Sequence, residues 1–268
     1  MLTGGFTPNQ AYKQDIATRF SRAATTYDSV ADLQREVADT LLSDLPLQTF
    51  ERVVDLGCGT GYGLPTLRNH YPSSQLLALD IAQGMLQQVK SIHAELDLVP
   101  LCADAEALPL ADEQIDLIWS SLAVQWCSDY PRLFTECCRV LKPGGRLMLA
   151  TLGPKSLFEM REAWQSVDQL PHVNRFAPLD QLLVMPPDGL RLLKSKSAFY
   201  TLTYPDLRAV MKALKMLGAS AVEGRQSIAG LGGRERLQQL ASAYDNFRQQ
   251  EGCLPVSYEV YYLQWCKD

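Results

Sequence analysis

The chain has 268 residues, 47% hydrophobic and 21% charged, with a net charge of −5. That length suits a single large α/β domain, which often reaches about 250 residues, and excludes a disordered chain. The acidic balance excludes a generally basic nucleic-acid binder. Charge is uneven, however: residues 1–150 carry 11 Lys/Arg against 18 Asp/Glu, and residues 151–268 carry 14 against 12, which leaves room for an acidic partner in the second half.

Residues 1–48 read as an N-terminal helical lid. Residues 8–26 are polar and mildly amphipathic; Val30, Leu33, Val37 and Leu41 then recur at helical spacing and predict a helix over 28–44. From 49 to 151 short apolar runs alternate with helical stretches. Strands are expected at 52–57, 75–80, 99–104, 115–121 and 145–151, with helices at 65–72, 82–96 and 131–145 between them. Strict βα alternation implies a doubly wound, parallel sheet. After Thr151 a helix at about 155–170 leads into an inserted lid to residue 192, where Pro171, Pro178, Pro186 and Pro187 imply loops. The remainder, 193–268, reads as a strand (193–205), a helix (206–220), another helix (234–252) and a last strand (256–265), all within one compact domain.

Seven cysteines at irregular spacing, without a CxxC pair, read as reduced thiols of a cytoplasmic protein. Three histidines and no HExxH make a metal unexpected. No h-region and no apolar run of about 18 residues is present, so neither a signal peptide nor membrane association is expected.

The stretch "VVDLGCGTGYG" (53–63) sets a glycine-rich turn between a strand and a helix. Gly57, Gly59 and Gly61 let backbone N–H groups approach a ligand. The pyrophosphate fingerprint GxGxxG would put its third glycine at 62, which is Tyr62 here. Asp55 lies two residues before the first glycine, where a carboxylate repels pyrophosphate but suits an ammonium. Asp80 ends the second strand and can accept both ribose hydroxyls. Asp104 ends the third and can accept from an adenine amino group, and Ile81 offers the ring an apolar face. An adenosine bearing an amino acid and no phosphate satisfies all four, which points to S-adenosylmethionine.

"VVDLGCGTG", "LALDIAQGML", "CADAEALPLADEQIDLIWSS" and "RVLKPGGRLMLAT" resemble, in order, the motifs of class I seven-stranded S-adenosylmethionine-dependent methyltransferases. The resemblance implies a mostly parallel seven-stranded, Rossmann-like sheet whose last strand, 256–265, is antiparallel and lies at an edge. It adds Ala105 and Ser120 to the cofactor contacts. No general base is evident in "SSLAVQWCSDY" (120–130), which suits an acceptor that is already an anion. Beyond the core, "IATRFSRAATTYDSVADLQREVADTLL", "SSLAVQWC", "PHVNRF", "ALKMLGAS" and "LPVSYEVYY" resemble the malonyl-[acyl-carrier protein] O-methyltransferases of biotin synthesis. That resemblance implies methylation of the free carboxylate of a malonyl thioester held on an acidic carrier protein.

Substrate contacts are then expected from Tyr27, Gln125, Trp126, Arg175 and Phe176, with Leu122 as a wall. Arg175 is expected to be partly buried by Val173 and Phe176 and to hold the carboxylate. Cys58 is expected to pack rather than react. Arg208, Lys212 and Lys215 share one helix face, beside Met211, Leu214 and Leu217 on a core face. From Arg191 to Arg225 there are seven Lys/Arg and two acids, so this face is the expected carrier-protein surface. Two other readings remain: a C- or O-methyltransferase of an isoprenoid or quinone-like molecule, and a cofactor-binding module without catalysis.

Overall fold

The computed structural model describes residues 10–217 and 233–268. Its strands are β1 (Arg52–Leu56), β2 (Gln75–Asp80), β3 (Leu98–Cys102), β4 (Ile115–Ser121), β5 (Leu141–Leu152), β6 (Leu190–Tyr204) and β7 (Leu254–Lys267). They form one seven-stranded sheet in the order β3-β2-β1-β4-β5-β7-β6. β1 to β5 run parallel, whereas β7 is antiparallel to both β5 and β6. The last strand is thus antiparallel as expected, but it lies inside the sheet. β6 takes the edge, because β7 pairs along the whole of β6 from Leu190↔Lys267 to Tyr204↔Leu254.

Period-2 alternation divides the strands between two cores. Val53, Leu117, Met148 and Val260 face one layer, which receives Leu33, Val37 and Leu41 of α2 (Asp32–Leu42). Val54, Ile118, Leu149 and Leu263 face the other, against Leu133, Phe134, Cys137 and Val140 of α5 (Tyr130–Val140). α2 therefore belongs to the core as well as to the N-terminal region. The helix expected over 28–44 is divided: a 3-10 turn (Tyr27–Val30) precedes α2. α1 (Gln10–Ala23) occupies the polar stretch before it. α3 (Leu64–His70) and α4 (Gln83–Ile92) follow β1 and β2.

Capping accounts for two boundaries. The Asp129 carboxylate accepts from Arg132 N (3.0 Å), with Pro131 in the first turn of α5, and Asp206 accepts from Ala209 N (2.8 Å) ahead of α8 (Leu207–Met216). β5 starts four residues before its expected position: Leu141 pairs Ile115 before the Lys142–Gly145 bulge shifts the register. The helix expected over 155–170 is the shorter α6 (Phe158–Gln165), and the insertion contains a short α7 (Leu179–Val184). The helix expected over 234–252 is α9 (Gly233–Tyr244) followed by a 3-10 turn. On α8 the buried positions are Leu207, Val210 and Ala213, while Met211 is 40% exposed rather than in the core. The expected positions 218–220 of that helix, and Glu223 and Arg225 of the basic tract, lie outside the described residues. No helix among the described residues is long and apolar enough to cross a membrane.

Candidate active site

The C-terminal ends of β1 to β4 open into a cleft roofed by α1 and the Tyr27–Val30 turn. Ligands of doubly wound sheets bind at such ends. Gly57, Gly59 and Gly61 all have positive φ (73°, 54° and 88°). A Cβ on Gly57 would lie 2.2 Å from Ala123 Cβ, so this turn admits only glycine against the β4 end. Gly57 N and Cys58 N donate to Leu79 O (2.7 and 2.9 Å), which locks the turn to β2. Gly57 and Gly59 line the cleft; Gly61 shapes the turn without lining it.

Asp55 is buried (1% exposed) at the cleft, and neither carboxylate oxygen has a hydrogen-bond partner among the described residues. Burial, then the charge of Asp80, pushes its carboxyl well above the usual range. A carboxylate in that position calls for a cation. Asp80 differs: Oδ2 accepts from Gly59 N (2.9 Å) and Oδ1 from Ala82 N (2.7 Å), leaving each oxygen one further lone pair. Burial raises its carboxyl to about 6, against the lowering effect of the Ala82, Gly59 and Ile81 N–H groups. Ile81, Asp104 and Ala105 line the same cleft. Burial also pushes the Cys58 thiol far up, which suits a packing residue.

Sequence reasoning missed the ionic roof. Lys13 Nζ of α1 contacts Asp104 Oδ2 (2.6 Å) and Glu106 Oε2 (2.5 Å). Glu106 Oε1 also accepts from Ser128 N (2.7 Å) and Asp129 N (3.2 Å). Thr60 Oγ1 donates to Asp28 Oδ1 (2.7 Å), joining the glycine turn to the roof. At Gly84 a Cβ would lie 2.6 Å from Ser21 O, so glycine there lets α1 sit on α4. Only the polar, amphipathic character of residues 8–26 hinted at any of this.

Ser120 is a correction. Its side chain is fully buried, away from the cleft, and its hydroxyl donates to Leu56 O (2.6 Å). Strand alternation turns Ser121 to the cleft instead, with Oγ buried and without a partner among the described residues.

A second, mostly apolar cavity shares Phe20, Tyr27, Gln34, Leu122 and Trp126 with the first and continues between α6, α8 and β7. Trp126, Gln125 and Phe176 line it. Gln125 is held by its Nε2 donating to Leu122 O (2.6 Å). Leu122 and Leu157, both on its wall, adopt left-handed φ values of 48° and 56°. Bulky residues rarely adopt this conformation, and it clusters at functional sites. Burial pushes the Tyr27 and Tyr258 hydroxyls far up, so both stay protonated. Arg175 is a further correction: it is exposed and lines neither cavity, while Val173 and Phe176 turn inward beside it. His172 lines the cavity instead. Among the described residues no cluster of three His, Cys, Asp or Glu could hold a metal ion.

The YcgJ protein from Bacillus subtilis superposes with a TM-score of 0.61 over 87% of this chain and 98% of that one, at 19% identity. A geranyl diphosphate C-methyltransferase from Streptomyces coelicolor gives 0.58 over 98% and 100%, at 14% identity. Both are likenesses of fold. Residues 54–149 match the family model described as a methyltransferase domain. A biotin biosynthesis bifunctional protein BioHC of Cellvibrio japonicus is 45% identical over 95% of this chain, which spans 50% of that relative's length. A malonyl-[acyl-carrier protein] O-methyltransferase of Gallionella capsiferriformans is 42% identical over 93% of this chain and 89% of its own. With identity at that level running through nearly the whole of both chains, this protein belongs to the malonyl-[acyl-carrier protein] O-methyltransferase family.

Proposed function

We propose that the chain transfers a methyl group from S-adenosylmethionine to the free carboxylate of malonyl-acyl-carrier protein, giving the malonyl methyl ester early in biotin synthesis. The observation that carries this reading is the unpartnered, buried Asp55 carboxylate in a cleft that shares a wall with an apolar cavity. Asp55 would hold the ammonium of the cofactor, Asp80 the ribose hydroxyls and Asp104 the adenine amino group, with Ile81 and Ala105 against the ring. When bound, the cofactor supplies an electrophilic methyl on a sulfonium.

The acceptor side then needs little acid–base help. A carboxylate with a pKa of about 4 is already ionised at pH 7. Leu122, Trp126, Leu152 and Phe176 exclude water around it, so positioning does most of the catalytic work. Tyr27 and Tyr258 are donors there rather than bases. Arg208, Lys212 and Lys215 are exposed on α8, and Met211 and Leu214 of the same helix line the cavity. A carrier protein docked on that basic face would deliver its acyl arm past Met211.

Mass spectrometry of malonyl-carrier protein incubated with enzyme and cofactor tests the reading: one methyl is gained. Methylation of a phenolic quinone precursor, with malonyl-carrier protein untouched, would transfer the chain to the isoprenoid and quinone reading. Tight cofactor binding with no transfer at all would make it a binding module.

A further inference from the structure

The acceptor cavity contains a polar arrangement that the cofactor site does not use. His172 stacks flat on Trp164, with ring centroids 3.6 Å apart and planes 6° from parallel. Its Nε2 lies 2.9 Å from Asp168 Oδ1, and Asp168 Oδ2 pairs with Arg236 of α9. The side chain is 5% exposed, yet Nδ1 is buried without a hydrogen-bond partner among the described residues. His172 lines the cavity, and an unpartnered ring nitrogen on such a residue is a vacant hydrogen-bonding position.

We infer that His172, as an imidazolium, holds the carboxylate of the acceptor through Nδ1–H while the second carboxylate oxygen attacks the methyl group. The inference rests on the carboxylate-acceptor reading above. Asp168 accepts from Nε2–H and fixes the ring, which leaves Nδ1 as the position open to the acceptor. The face of Trp164 adds cation–π stabilisation. Arg236 offsets the Asp168 charge, so the cluster presents one net positive charge to the cavity. In the reaction the free carboxylate oxygen bonds to the methyl carbon, the S–CH3 electron pair stays on sulfur, and no proton moves. The ester that results is neutral, which weakens the Nδ1–H contact and favours release.

The test compares binding of malonyl- and acetyl-carrier protein, which differ in that carboxylate, to protein saturated with S-adenosylhomocysteine. Wild type should prefer the malonyl form by about tenfold or more, the size of a charge-assisted hydrogen bond. His172→Phe, which keeps a ring to stack on Trp164, should lower that preference to about twofold with cofactor affinity unchanged. His172→Asn, with an amide N–H near the Nδ1 position, should restore part of it. If His172→Phe fails to fold, His172→Asn and Asp168→Asn carry the comparison, both lowering the preference. A folded His172→Phe protein that keeps the preference overturns the inference. So does one that loses kcat alone, which would make His172 a base, or a preference lost in Arg175→Ala. A wild type that cannot methylate malonyl-carrier protein sinks the functional reading itself, a result distinct from these.

Discussion

Lys13 and Glu106, 93 residues apart in the chain, are joined by a 2.5 Å ion pair that fastens the roof helix α1 to the loop after β3. The Glu106 side chain is 1% exposed, so solvent does little to screen the contact. Lys13→Met leaves Glu106 charged and buried, with only N–H and O–H donors around it. A loss of about 2–4 kcal/mol in urea unfolding is expected, near the range for breaking a buried pair from one side. The double variant Lys13→Met/Glu106→Gln should recover part of the loss. Burial lowers the Lys13 pKa, but Asp104 and Glu106 outweigh it and leave it raised. Its contribution is therefore complete below 10.5 and lost as pH rises through the higher folded value.

Asp80→Ala should weaken S-adenosylmethionine binding by about 1.5–3 kcal/mol, as charge-assisted hydrogen bonds are lost. Calorimetry on the folded variant checks it. Without ligand the carboxyl titrates near 6, above its ordinary 3.8, and hydroxyl donors need the ionised form. Cofactor affinity should then fall as pH drops through about 6, and Asp80→Asn should flatten that dependence. For folding alone the sign is opposite: a raised carboxyl favours the folded state at low pH, and that advantage fades between 3.8 and 6.

Gly57→Ala and Gly59→Ala separate steric from conformational cost. Both sites have positive φ, but a Cβ at Gly57 meets Ala123 at 2.2 Å while one at Gly59 meets nothing within 4 Å. Gly59→Ala should cost the left-handed penalty of about 1–2 kcal/mol. Gly57→Ala should cost about 1–3 kcal/mol more for overpacking. Denaturant midpoints at constant slope test the ordering, and equal losses would place the strain elsewhere.

Lys212→Glu/Lys215→Glu should raise KM for malonyl-carrier protein severalfold at low salt, with little change for malonyl-coenzyme A. The effect acts on association rate and should shrink toward 0.15 M salt, where the Debye length is about 8 Å. Equal responses from both substrates would move the docking face away from α8.

The parallel half of the sheet was legible because the aliphatic runs of β1, β2, β4 and β5, buried on both faces, leave little ambiguity, and Asp55, Asp80 and Asp104 each fall within two residues of a strand end. Ser120 and Ser121 show where legibility stopped. A one-residue shift reverses the face, and the motif alone did not fix which serine met the cleft. Arg175 and His172 fail for another reason: charge type suggested the arginine, whereas loop geometry turned it to solvent and buried the histidine three residues before it. Lys13 was hidden because its partners lie about 90 positions away.

The interior position of β7 imposes an order on folding. β6 hydrogen-bonds within the sheet only through β7, and residues 205–253 separate the two in the chain. On a ribosome β1 to β5 can pair while β6 waits, its ladder unsatisfied, until residues 254–267 emerge. Those residues also bring Tyr258 to the second, mostly apolar cavity. The half that carries the Asp55–Asp80 cleft is thus able to assemble before the half that closes the apolar cavity, and a nascent chain stalled after β6 would expose a strand open to mispairing.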